Sequence, residues 1–514
     1  MLAAGWPLEV GADGRDGPKD ARPGWKSRAR AQLDATPSVG HRSTQGNRVL
    51  SKGSVTEPRA GRRPFAAVWV VTYPLLITYL TQKLLTTVDT ALLGRFSTSA
   101  LASVGLAAPV YIVATVLAVG WATATGVFVA QQYGAGEHGE IGRVTDVGLA
   151  LSLVTGAAVG VVMFAAAPQL IGVLGGEAGL TGPAVTYLRI LAFAVPVAAA
   201  IFTLQSAFSG VGATRVAMYT AVVVNAVDIP LGVIMIFGLG WGVVGAGVST
   251  VLGTIAGLCF MIWYGRRRLP AQLRLLRWEH VSGWRSLVPR LWPVAWPEST
   301  WLFVGYLNEV ILIGFVAQLG GVEVAAYRVL WSVTDLIMTV ATACGVGVSI
   351  LVGQRLGASA PDEAVTFRRA GLRLAAVLTG LPAMVLLLFP GPVFGLLTDD
   401  PVVLTVVVST VAIALLKLAP MVPAMNLWGV LRAAGDTRTI MIASLVCDIL
   451  LLVPLAWLLA LPLGLGLHGI FLAWIGWWLG WLGWLFIRYR QNVWRTSLRT
   501  DDAGPSAWAD RADQ

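Results

Sequence analysis

Four side chains able to handle a proton or a small cation stand in otherwise apolar sequence: Asp89, Asn225, Asp228 and Thr250. Asn225 and Asp228 are one helical turn apart, which places them on the same face of a helix. Asp89 lies about five residues, and Asp228 and Thr250 about nine, from the ends of their apolar runs; at 1.5 Å per residue all three fall roughly 8–14 Å below one rim. Two carboxylates, a carboxamide and a hydroxyl at one depth could share a proton or hold a dehydrated Na⁺ through oxygen ligands. A fixed knot of interhelical hydrogen bonds would use the same groups.

Other polar groups sit in comparable surroundings. Glu298, directly after Pro297, and Asp448 are candidates for a second site, although Glu298 reads first as a rim residue exposed to the cytoplasm. Glu309 follows Glu298 at a spacing of about three helical turns, and so shares its face. Arg328 and Asp335 are expected to pair along one helix. Asp448 occupies the position 223 residues after Asn225, whereas the same step from Asp89 leads to Leu312. The two halves are therefore chemically unequal, and coupling chemistry is expected in the first. Pro74, about four turns before Asp89, removes a helical hydrogen bond and acts as a hinge or as a fixed kink.

Apolar helices must carry these groups. The chain has 514 residues, 56% of them hydrophobic and 12% charged, with a mean hydropathy of +0.72. A soluble domain has about a quarter charged residues, so the chain is read as an all-α integral membrane protein. Between residues 64 and 488 the apolar runs are long enough for about twelve transmembrane helices of roughly 20 residues each. Their length excludes a β-barrel, whose strands alternate in polarity over about ten residues. Twenty-one tryptophans, among them Trp284, Trp292, Trp296, Trp477, Trp478, Trp481 and Trp484, are read as interfacial belts and lipid-facing packing. Cys259, Cys344 and Cys447 are read as packing residues, and His468 as a hydrogen-bonded residue near the start of the last helix.

Residues 1–63 hold 12 of the 37 Lys and Arg against 6 acidic residues, which accounts for more than half of the net charge of +10. Gly, Pro, Ser and Arg dominate there, and no helical period appears. A disordered basic tail without the apolar core of a signal peptide is expected, and no nucleic-acid partner. Arginines at 143, 215, 266–268, 274, 277, 285, 290, 355, 368, 369, 432 and 438 fall in alternate loops, while the opposite loops hold Arg95, Glu177, Glu323, Asp399 and Asp400. By the positive-inside rule both termini and the long basic loop face the cytoplasm, in a multi-pass protein of the cytoplasmic membrane.

The halves repeat at a constant step of 223 residues. This step joins Pro74 to Pro297, AQQYGA (130–135) to GQRLGA (353–358), Gly148 to Gly371, and Gly212, Thr214 and Arg215 to Gly435, Thr437 and Arg438. The expected organisation is a tail (1–63), a first bundle (64–265), a basic cytoplasmic linker (266–288), a second bundle (289–488) and a C-terminal tail (489–514). Six helices per bundle make the repeats parallel, with a cavity between them, as in an alternating-access carrier rather than an enzyme or a channel. None of the five lysines follows a glycine, so no phosphate-binding loop supplies ATP energy. An ion gradient is the expected drive, with H⁺ or Na⁺ as the coupling ion and no organic cofactor.

Several segments together resemble the multidrug and toxic compound extrusion family. They are the helix 1 proline followed by VDTALLGRFSTSALASVGL (88–106), the QQYGAG end of helix 2, YLRILAFAVP (187–196), FSGVGATR (208–215), VVNAVDIPLG (223–232), GVVGAGVST (242–250), VEVAAYRV (322–329) and VLRAAGDTR (430–438). They span essentially all of residues 65–488, and the branch of the DNA-damage-inducible F proteins is the most similar. The resemblance implies a V-shaped central cavity between two lobes, a monomer in the lipid bilayer, and uptake of H⁺ or Na⁺ driving export of amphiphilic, often cationic, small molecules. It implies that Asp89, Asn225, Asp228 and Thr250 form the ion-coupling cluster and that Pro74 is the helix 1 bend. Other branches carry a functional glutamate about two turns after the helix 7 proline, where this chain has Gly305. The paired carboxylates favour H⁺ over Na⁺. A major facilitator carrier is set aside because GAGEHGEIGR replaces that superfamily's loop motif; a flippase for a lipid-linked precursor is the alternative.

Overall fold

The computed structural model describes residues 64–174, 178–268 and 283–496, together with Leu498. The basic tail, most of the linker and the end of the C-terminal tail lie outside the described residues. The described chain is helical throughout: α1 Pro64–Phe96, α2 Thr98–Ala135, α3 His138–Val173, α4 Ala178–Ala192, α5 Ala194–Gly210, α6 Arg215–Val233 and α7 Val243–Arg268 form the first half. The second half holds α8 Trp284–Leu319, α9 Gly321–Gly357, α10 Pro361–Leu388, the short α11 Pro390–Phe394, α12 Pro401–Leu416, α13 Leu418–Ala433, α14 Thr437–Cys447, α15 Val453–Ala460 and α16 Gly466–Arg490.

Among the described residues ten helices are long and apolar enough to cross a membrane, and twelve spans result when each of two bent pairs counts as one. The repeat survives in three dimensions: α2 and α9 begin at Thr98 and Gly321, and α7 and α16 at Val243 and Gly466, each pair 223 positions apart. The two bent spans were expected as single helices, 183–209 and 402–432. They bend instead by 43° between α4 and α5 and by 41° between α12 and α13. Pro196 and Pro420 have no N–H to give the carbonyls four residues earlier, Ala192 and Leu416, and the helices break where those bonds are lost. The linker was expected to end at residue 288, whereas α8 starts at Trp284.

Wide π-turns follow α6, at Ile234–Gly238, and α14, at Asp448–Leu452. The first half of α1 belongs to the second half's core: Ala67, Val68, Val71 and Leu75 pack into its main hydrophobic cluster. Leu93, near the other end of the same helix, packs in a first-half cluster with Tyr187, Val195 and Ile236. Pro74 is buried within the stretch that packs on the second half, so the turn it weakens, 70–74, lies inside that attachment rather than between it and Leu93.

The halves meet at the end that carries residues 64 and 490, where α2 and α9 approach at Gly134 and Gly357. About midway along α2 the Gly120 N–H also donates to Ser299 Oγ at 3.1 Å, and Ser299 Oγ donates to the Leu117 carbonyl at 3.0 Å. Beyond the middle, toward the end away from the termini, Lys83 Nζ on α1 reaches Asp335 Oδ2 on α9 at 2.5 Å. Asp335 thus pairs with α1 rather than with Arg328 of its own helix. The reason is reach: a long lysine on an adjacent helix brings its charge to the carboxylate directly.

Candidate functional site

Three helices of the first half bring the predicted cluster together. Asn225 and Asp228 lie on α6, which packs against α1 on one side and α7 on the other. Asn225 Nδ2 donates to the Thr81 carbonyl of α1 at 3.0 Å and ties the two helices together two turns before Asp89. Asp89 is half-buried on α1 and interacts electrostatically with Asp228.

Asp228 is fully enclosed, with 0% exposure, and neither of its carboxylate oxygens receives a hydrogen bond. Ser249 and Thr250 on α7 face it, yet each hydroxyl gives its proton to the Ala246 carbonyl, both at 3.0 Å. The hydroxyl oxygens therefore keep lone pairs available beside two carboxylates. The donors beside Asp228 are hydroxyls, those of Ser249 and Thr250, which the Ala246 carbonyl already engages, and the phenols of Tyr111 and Tyr187; oxygen acceptors outnumber them, which suits a bound cation. A buried carboxylate short of donors and of a countercharge is costly, so this arrangement favours taking up H⁺ or a bare monovalent ion.

Gly253 makes the α6–α7 approach possible. A Cβ there would lie 2.8 Å from Asp228 Cβ and 3.2 Å from the Val224 carbonyl oxygen. Gly253→Val is expected to force α7 away from Asp228, lower the thermal midpoint in detergent by an overpacking cost of about 1–3 kcal/mol, and depress transport. An unchanged midpoint together with unchanged transport would contradict the close packing.

Two tyrosines escaped sequence reasoning. Tyr187 on α4 interacts with both Asp89 and Asp228, and Tyr111 on α2 with Asp228 and Tyr187. Their only signal in the sequence was a phenol in an apolar helix, which reads equally well as packing.

The second-site candidates sit in the other half, away from this cluster. Glu298 was readable as a rim residue, but it is 2% exposed, with Oε1 at 3.3 Å from Arg432 Nε and 3.4 Å from Thr123 Oγ1. Arg432 closes the triangle by donating to Thr123 Oγ1 at 2.8 Å. Because Thr123 belongs to α2, this buried ion pair joins the two halves. Asp448 opens the second π-turn and accepts from Trp477 Nε1 at 2.5 Å and Ser444 Oγ at 3.2 Å. Protein donors already serve it, in contrast to Asp228.

Trp477, Trp478 and Trp481 are buried, not lipid-facing as expected, and pack on one another with ring centroids 4.8–5.6 Å apart. Trp284, Trp292, Trp296 and Trp484 are exposed, as a belt requires. His468 Nε2 lies 3.3 Å from the Ser409 carbonyl oxygen, in the first turn of α16. Among the described residues no group of three or more His, Cys, Asp or Glu is placed to hold a metal ion.

The family model described as MatE matches residues 74–234 and 302–458, one stretch in each half and together more than half of the chain. An uncharacterized transporter of Bacillus subtilis, YisQ, is 24% identical over 432 residues, covering 83% of this chain and 94% of that protein. The multidrug resistance protein PmpM of Pseudomonas aeruginosa is 26% identical, covering 77% and 82%. Among solved structures, an outward-facing multidrug resistance MATE transporter of the MOP superfamily superposes with a TM-score of 0.78 at 20% identity, over 84% of this chain and 96% of that one. A MATE protein in its bent conformation gives 0.77 at 20% identity, over the same shares. At these identities the structural likeness bears on the fold.

Proposed function

The chain belongs to the MatE family and is a multi-pass membrane transporter, and from that premise we propose that it is an ion-coupled antiporter exporting amphiphilic, often cationic, small molecules, with H⁺ favoured over Na⁺. The observation carrying this reading is Asp228, enclosed and next to Asp89, with only the Ser249 and Thr250 hydroxyls facing it from α7 and both of those engaged by the Ala246 carbonyl. Ionisable groups at membrane depth are costly and face a bundle interior or a water path, where they serve ion transfer.

In this mechanism the coupling ion enters from the end away from the termini and neutralises the Asp89–Asp228 pair. Neutralisation removes the repulsion between the two carboxylates and changes how α1 sits against α6. Because α1 is anchored in both halves, with Pro74 weakening the helix inside its second-half anchor, a change at Asp89 is passed along α1 to the second half as a bend there. The halves then exchange which end of the space between them is open, and release of the ion resets the pair. Arg143, Arg215, Arg285, Arg290, Arg355, Arg368, Arg369, Arg432 and Arg438 cluster toward the end carrying the termini, which supports a cytoplasmic placement of that end in the cytoplasmic membrane.

The test is efflux of a fluorescent organic cation from proteoliposomes under an imposed pH gradient or Na⁺ gradient, each applied alone. Movement under one gradient names the ion. No movement under either, from folded protein, overturns the antiport reading and turns attention to lipid-linked substrates.

A further inference from the structure

The repeated segments AQQYGA and GQRLGA play no part in the ion site, and their side chains do something else. Gln131 Nε2 on α2 donates to the Ala433 carbonyl at 2.7 Å, and Gln354 Nε2 on α9 donates to the Gly210 carbonyl at 2.7 Å. Both glutamines and both acceptor residues are buried. Gly210 ends α5 and Ala433 ends α13. The last carbonyls of a helix have no partner within it. Each half therefore satisfies the end of a helix belonging to the other half.

The arrangement is reciprocal at atomic detail. Gln131 and Gln354 are 223 positions apart, and so are Gly210 and Ala433. Two glycines let the backbones meet: a Cβ on Gly134 would overlap the Gln354 carbonyl oxygen, and a Cβ on Gly357 would overlap that of Gln131. Gly134 and Gly357 again share the step of 223. Gln131 Oε1 also accepts the Leu498 N–H at 2.6 Å. All of these contacts lie at the end carrying the termini.

We propose that Gln131 and Gln354 are positioning residues of the transport cycle, forming a two-fold latch that holds the two halves together at this end and releases as a unit when that end opens. The proposal rests on the alternating-access reading and supplies its closing device. The halves move as packed bodies, so separating them breaks both caps at once and exposes two helix ends. A net hydrogen bond of ordinary strength shifts an equilibrium about fivefold, so losing both caps should shift the closed-to-open ratio at this end by about 25-fold.

The experiment uses the full chain with Cys259→Ser, because Cys259 is exposed while Cys344 and Cys447 are buried. Spin labels placed through Glu140→Cys and Glu363→Cys, positions with solvent-accessible side chains in the same repeat register, report the separation of the halves by pulsed electron resonance. Methionine keeps the length of glutamine and removes the donor. Gln131→Met and Gln354→Met are each expected to raise the population of the longer distance, and the double variant to raise it further, with the protein still monodisperse. A folded double variant with the wild-type distance distribution would overturn the latch.

Should the methionine variants misfold, joining the two thiols introduced by Glu140→Cys and Glu363→Cys with a short bis-maleimide, both glutamines being kept, is expected to stop transport; full transport by the bridged protein would equally overturn the proposal. The distance measurement needs neither substrate nor gradient. A wild type that moves no dye under either gradient would therefore strike the coupling reading and leave the latch result to be judged separately.

Discussion

Asp89→Asn is expected to reduce gradient-driven efflux by more than about tenfold, to the level of liposomes without protein, since site-to-site coupling carries factors of roughly 5–150. Asparagine has nearly the shape of aspartate but neither gains nor loses a proton near neutral pH, and it carries no charge to attract Na⁺. Asp89 is half-buried beside α6, so the exchange leaves no charge stranded and the protein should insert and purify normally. Asp228→Asn removes the other half of the pair and should impair efflux as well. Because both act on one bound ion, their combined effect should fall well short of the product of the two. Full-rate efflux by a verified Asp89→Asn protein would remove Asp89 from the coupling site.

Arg432→Met should cost stability more than any single surface change. Arg432 is the cation beside Glu298, and Glu298 is 2% exposed. Removing one member of a buried pair leaves an uncompensated charge, at a cost of about 3–5 kcal/mol. The same change removes the bond from Arg432 to Thr123 and thereby weakens the junction between the halves. The measurement is the thermal midpoint in detergent for Arg432→Met, Glu298→Gln and the double variant. The double variant should recover part of the loss because its buried glutamine carries no charge. Equal midpoints for wild type and Arg432→Met would mean that Glu298 is compensated by something other than this arginine.

Much of the site was legible because depth along a helix follows from counting residues. Asp89, Asp228 and Thr250 were placed at one level by the 1.5 Å rise, and Asn225 by its spacing of one turn from Asp228. The constant 223-residue step announced two bundles, and it reappears in helix starts and in the reciprocal glutamines. The bends before Pro196 and Pro420 were missed because hydropathy averaged over a span does not register a single lost hydrogen bond.

The burial of Trp477, Trp478 and Trp481 was missed for a related reason. Composition shows a tryptophan near a membrane rim but not a buried carboxylate on a neighbouring helix that needs an indole N–H, as Asp448 does from Trp477. Lys83 and Asp335 belong to helices far apart in sequence, and no spacing rule within one helix could have paired them. Tyr111 and Tyr187 join the site through the packing of α2 and α4, which a pattern along one helix does not encode.

The central claim is that Asp89 and Asp228 carry the coupling ion, and the most direct test is to watch that ion move. Proteoliposomes holding an internal pH indicator would be given external substrate in buffers with and without Na⁺, for wild type, Asp89→Asn and Asp228→Asn. A substrate-evoked internal pH change that persists without Na⁺ in wild type and is lost in both variants is the predicted result. An unchanged proton signal in the two variants would place the coupling ion elsewhere and contradict the account.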